Sequence, residues 1–155
     1  MERGLHDYFT LLDKRVLYHS VKMDSITYGT VVTTGLSFDR AIVRVRELLK
    51  DEGFGVLTEI DVAKTLKEKR GVDLQPYVIL GACNPDFAYA GLQAEDQLGL
   101  LLPCNVVVSS KGGSTSVSAV NAREMLRMVG KPELSSVAGQ VDDSLQRVLN
   151  RIAAE

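Results

Sequence analysis

Leu98-Gly-Leu-Leu-Leu-Pro-Cys-Asn-Val-Val-Val108 is the most apolar run of the chain. It falls short of the roughly 18 apolar residues that a membrane span requires. Its β-branched end favours an extended conformation over a helix. We read it as a long central strand in which Pro103, unable to donate to a ladder, forces a bulge or a local edge. Lys111-Gly-Gly-Ser114 then has the composition of a hairpin turn, and Thr115 to Val120, with Val117 and Ala119 alternating, pairs back. A central strand followed by a hairpin makes the sheet antiparallel.

The segments before this hairpin supply the remaining strands and a long helix. Ile26-Thr-Tyr-Gly-Thr-Val-Val-Thr-Thr34 is rich in β-branched residues and reads as one strand ended by Gly35. Ser37 is placed to cap a helix, with Asp39 in its first turn. Phe38, Ala41, Ile42, Val45, Leu48 and Leu49 follow at helical spacing and form one apolar stripe, which Gly53 terminates. Gly55 to Ile60 reads as a strand, and Asp61 as the cap of a short helix through Arg70, closed by Gly71. Tyr77 to Cys83 is a further strand, and Asn84-Pro85 pairs an N-cap residue with proline at the first helical position of a helix reaching about Ala94.

After the hairpin, Asn121 with Glu124 three residues on resembles a capping box, and Gly130 with Pro132 ends that short helix. Leu134, Val137, Val141, Leu145, Val148 and Ile152 give a second long amphipathic helix. The order predicts an α+β fold: a two-layer β-α-β4-α domain, its antiparallel sheet packed by two long helices, with short helices inserted. We place a single domain at 26–155 behind an N-terminal arm at 1–25. In that arm Leu5, Tyr8, Phe9, Leu12 and Val16 form a short amphipathic pattern that needs cover, from its own domain or from a partner subunit.

Composition narrows the function classes. The chain has 155 residues, 45% of them hydrophobic and 25% charged, as expected of one globular domain able to fold without staples. With 18 basic and 20 acidic side chains the formal net charge is −2, which opposes electrostatic nucleic-acid binding. Two cysteines and two histidines cannot build a disulfide scaffold or a pair of structural zinc sites, so no metal and no cofactor is expected. Met1 to Asp7 carries no apolar signal region, so we expect a cytoplasmic protein with free thiols and no membrane partner.

Few residues invite chemistry. H-E-x-x-H, G-x-S-x-G and G-x-G-x-x-G are all missing from the sequence. Gly130-Lys131 lacks the upstream glycine of a phosphate loop, since Met125 stands there and Pro132 follows. Lys67-Glu-Lys-Arg70 suits a solvated helix end. His6 and His19 lie in the arm, where a surface role is expected and a catalytic arrangement with serine or cysteine is poorly supported. Sharper are Cys83-Asn84-Pro85 and Pro103-Cys104-Asn105, each setting cysteine before asparagine beside proline. Cys83 ends a strand at a helix N-terminus, where exposed N–H groups would lower a thiol pKa and favour an anion. Cys104 lies within an apolar strand and suits a small buried hydrophobe. Glu59 and Asp61 stand two apart on one strand face, as a carboxylate pair would, although Asp61 also suits a cap.

Three blocks, Gly53-Phe-Gly-Val-Leu-Thr-Glu-Ile-Asp61, Tyr77-Val-Ile-Leu-Gly-Ala-Cys-Asn-Pro85 and Leu101-Leu-Pro-Cys-Asn-Val-Val-Val108, resemble the signatures of the family known as domain of unknown function 302. The resemblance covers about Ile26 to Ile152. It implies a TATA-binding-protein-like β-α-β4-α fold and small bacterial and archaeal dimers. The motif positions it carries over are Glu59, Asp61, Cys83, Asn84, Pro85, Leu102, Pro103, Cys104 and Asn105. No activity comes with it. The expectation is a non-enzymatic module, a homodimer that binds a small molecule or a protein. The alternatives are a thiol-based redox enzyme or sensor, with Cys83 attacking and Cys104 resolving, or weak metal binding by both thiols and a nearby carboxylate.

Overall fold

A computed structural model describes residues 23–155. In chain order the elements are β1 (Met23–Ile26), β2 (Gly29–Thr34), α1 (Phe38–Asp51), β3 (Gly55–Asp61), α2 (Val62–Arg70), β4 (Tyr77–Cys83), α3 (Pro85–Ala94), a 3-10 helix (Asp96–Leu101), β5 (Cys104–Lys111), β6 (Ser114–Val120), α4 (Ala122–Arg127) and α5 (Leu134–Ala153). The six strands form one sheet in the order β1-β2-β6-β5-β4-β3, antiparallel throughout. From β2 onward the long elements follow the expected β-α-β4-α order. Among the described residues, no helix is long and apolar enough to cross a membrane.

Strand alternation sends one set of side chains toward α1 and α5. Val32, Val117, Val108 and Val78 stand in register across four strands, and Ala119, Val106 and Leu80 do so in the next row. All are buried, together with Ala41, Val45, Leu48 and Leu49 of α1 and Val141, Leu145, Val148, Leu149 and Ile152 of α5. Burying each large side chain contributes about 1.5–3 kcal/mol. Ion pairs then span the two helices: Arg44 to Glu155 at 2.6 Å, Arg147 to Glu52 at 2.8 Å and Arg151 to Asp51 at 3.0 Å. They lie at the surface, where such pairs contribute about 0–1 kcal/mol each. Burial of the stripes therefore drives the packing, and the ion pairs help align it.

Two strand readings are corrected. The run from Ile26 to Thr34 is a hairpin rather than one strand, with Ile26 opposite Gly29 and Thr27-Tyr28 as its turn. Neither turn residue has a positive φ, so this turn lacks the Asn-Gly chemistry that would signal it. The run from Leu98 to Val108 also divides. Its first part completes the 3-10 helix, which buries Leu98 against Leu126, Leu134 and Ala138, and the strand begins only at Cys104. Pro103 precedes the ladder instead of bulging it; its peptide bond with Leu102 is cis. The irregularity in the sheet lies in β3, between Val56 and Thr58. At Lys111-Gly112-Gly113-Ser114 the expected tight turn is present, both glycines having positive φ.

The caps follow the sequence with two departures. Asp61 accepts from the Lys64 N–H at 2.8 Å, and Gly71 closes α2 in the left-handed conformation. Ser37 occupies the N-cap of α1 without a side-chain hydrogen bond. Asn121 accepts from the Glu124 N–H at 3.0 Å, but its own N–H donates to the Tyr28 carbonyl, so the capping box is only half built. The amphipathic arm expected at 1–25 lies outside the described residues except for its last three, which belong to β1.

Gly81 of β4 is where the three motif blocks meet. A side chain there would collide with Thr58 of β3 and the Pro103 ring. Gly81→Ala is expected to cost about 1–3 kcal/mol through overpacking, read as a lower urea midpoint with an unchanged slope; an unaltered midpoint would mean that Thr58 and Pro103 can move aside.

Candidate functional site

The first candidate is the corner where β4 runs into α3. Asn84 is its hinge: the side-chain carbonyl accepts from the N–H groups of Asp86 at 3.0 Å and Phe87 at 3.3 Å. Pro85 follows at the first helical position, where a missing N–H costs nothing. The Asn84 amide also lies against Gly53, whose φ of +81° turns the chain from α1 into β3. Beside it the rings of Phe54 and Phe87 meet at 6.3 Å between centroids. Asn84 thus joins two turns, and the N–H groups that could have held an anion are taken by its own carbonyl.

Both cysteines are free and line one small cavity beneath this corner, closed by Phe87, Leu102, Met125 and Val141. Its volume is about 30 Å³, space for a water or two and far below the roughly 300 Å³ of a ligand pocket. Burial pushes the Cys83 thiol pKa up, opposite to the lowering expected of a helix N-terminus. Burial, and then the nearby Cys83, push Cys104 up to about 11. The neutral thiol is the form this environment favours. Cys104 lies directly opposite Ala82 on the helix-covered face, whereas Asn105 is exposed on the other face of β5.

The two carboxylates have separate engagements. Glu59 pairs with Arg46 of α1, and Asp61 caps α2. Neither is drawn to the cysteines, and among the described residues no three His, Cys, Asp or Glu side chains converge as metal ligands would. A groove of about 390 Å³ between α4 and the start of α5 is lined by Arg123, Arg127 and Lys131. Its cations already face acids: Arg123 meets Asp143 at 2.8 Å, Arg127 meets Glu124, and Lys131 meets Glu95 at 2.9 Å.

The second candidate is the sheet face turned away from α1 and α5. Pairing places Val31, Ser118, Val107, Ile79 and Ile60 in one row across β2, β6, β5, β4 and β3. Thr33, Ser116, Ser109 and Tyr77 form the adjoining row. Val31, Val107 and Ile79 are half-buried and join neither core cluster, and Ile60 is 48% exposed. An apolar row framed by hydroxyls, with no helix of the core packed on it, is a surface that can take up another molecule. Sequence reading passed over this row. Its signal was there in Tyr77-Val-Ile-Leu80 and Val106-Val-Val108, where unbroken apolar runs place hydrophobes on both sheet faces.

The environment of Cys104 makes a pH prediction. Its folded pKa of about 11 exceeds the ordinary 9.0, so its contribution to stability is full below pH 9 and is lost as pH rises toward 11. Wild-type Tm is therefore expected to fall more steeply across that window than the Tm of Cys104→Ala; parallel curves would refute this. Asn84→Ala is expected to cost about 1 kcal/mol through loss of the cap, read by thermal unfolding.

Comparison with known proteins agrees with this architecture. The family model described as "Domain of unknown function DUF302" matches residues 30–152. The crystal structure of the uncharacterized conserved protein DUF302 from Bacillus stearothermophilus superposes with a TM-score of 0.77 at 33% sequence identity, covering 82% of this chain and 99% of that one. Among curated proteins, none matches. With a shared fold, a third of the aligned residues identical and a family match running from β2 to the end of α5, the chain belongs to the domain of unknown function 302 family.

Proposed function

We propose that this protein is a non-enzymatic binding module, working in the cytoplasm as a homodimer, that engages a protein or a small molecule through the open sheet face. The observation that carries this reading is the row Val31, Val107, Ile79 and Ile60, held in register by paired strands and left outside both cores. Strands fix the spacing of such a surface, so little ordering cost falls on binding. The homodimer follows from the family resemblance, and its interface is a separate question from the ligand face.

A thiol-based role is the second reading, favoured by the shared cavity of Cys83 and Cys104. Against it stand the raised pKa values, because the thiolate is the reactive species.

Native mass measurement and a thermal-shift ligand screen test the proposal together. The expected results are a mass of two chains and hits whose stabilisation disappears in Ile60→Glu. A monomer that responds to no compound would overturn the module, and hits indifferent to Ile60→Glu would remove the face. For the thiols, iodoacetamide at pH 7 is expected to label Cys83 slowly and Cys104 more slowly still; rapid labelling of Cys83 would restore the redox reading.

A further inference from the structure

The open face is poor in charge as well as apolar. Between β2 and β3 the register joins three rows: Thr33, Ser116, Ser109 and Tyr77; Val31, Ser118, Val107, Ile79 and Ile60; and Asn105, Gly81 and Thr58. Charged residues make up 25% of the chain, yet these rows contain none. The two acids of β3 are engaged elsewhere, Glu59 by Arg46 of α1 and Asp61 as the cap of α2. The other charged strand residues are Asp24 of β1 and Lys111 at the tip of the β5–β6 hairpin, so both stand at the rim. A centre depleted of charge within a polar rim is the composition of a protein–protein interface.

Two features select a second copy of this chain as the occupant. Serine and threonine hydroxyls both donate and accept, so identical hydroxyl rows can bond to one another, whereas identical charged rows would repel. The area also suits. The strands from β2 to β3 hold six to eight residues each. At about 4.8 Å between strands and about 3.3 Å per residue, they cover roughly 24 by 23 Å, a flat projection of about 550 Å². Side-chain relief and β1 add to it, and a standard interface takes about 800 Å² of accessible surface from each partner.

We propose that two copies pack open face to open face, their sheets about 10 Å apart, with the two-fold axis passing near Ser118 and Val107 on the central strands β6 and β5. Small side chains at the centre let the sheets approach, and Val31, Ile79 and Ile60 leave water on both sides of the seam. The proposal rests on the reading of this face as a binding surface and names its partner.

Ser118→Cys in the full-length chain places a reporter of similar size at the centre of the face. Its alkylation by iodoacetamide is expected to be slow in a protein whose native mass is two chains. Adding Ile60→Glu should shift the mass to one chain and make the alkylation fast, while Val43→Glu, on the exposed side of α1, should change neither. Thr33→Glu, at an exposed position in the adjoining row, replaces Ile60→Glu if circular dichroism shows that variant to be unfolded. Fast alkylation without a face substitution would overturn the proposal, as would a face variant that keeps the mass of two chains. Slow alkylation in a protein of one chain would put another occupant on the face, residues 1–22 included, and overturn it equally. Ligand hits that Ile60→Glu abolishes while the mass stays at two chains would keep the face as a binding surface and remove the second copy from it.

Discussion

Everything in this molecule depends on one face of the sheet being sealed by α1 and α5. Rows of valine, leucine and alanine on β2, β6, β5 and β4 meet the apolar stripes of both helices, and the largest of these side chains are almost fully excluded from water. Hydrophobic burial has no direction of its own, so the register of the strands decides which side chains take part. The same alternation that fills the core sends Val31, Val107, Ile79 and Ile60 the other way. The open face is thus a by-product of how the core is made, and it becomes available for use because neither α1 nor α5 can reach it.

The corner at Cys83-Asn84-Pro85 has a different character. Asn84 caps α3 and braces Gly53, Pro85 starts the helix, and Cys83 and Cys104 close a space large enough for little more than water. Chemistry concentrated in a motif does not always mean a reactive site. Here polar and small residues are required because two turns and a strand end share one point, and a larger or less adaptable side chain would separate them.

Most of the fold could be read from the sequence because its long elements carry plain periodicities. The stripes of α1 and α5, the caps at Asp61 and Asn84, and the Gly112-Gly113 turn are local signals that the packing agrees with. The failures are equally local. Thr27-Tyr28 turns the chain without glycine at either turn position, so β1 and β2 read as one strand. Leu98 to Leu101 are as apolar as a strand, but Leu98 finds its partners in α4 and α5, reached through the gap that Gly91 leaves on α3. As for the site, the cysteine motifs drew notice by composition, whereas the apolar runs at 77–80 and 106–108 signal two-faced strands without saying which residues of five strands the register joins into one row.

The extra residue in β3 has a consequence for how copies of this chain can meet. β3 is an outer strand, and an unbroken outer strand offers a regular comb of free N–H and C=O groups on which further chains can grow. Leu57 breaks that comb midway, and among the described residues the opposite border is formed by the four residues of β1. Strand-by-strand growth into fibrils is discouraged along β3, where the ladder of free groups loses its regular spacing.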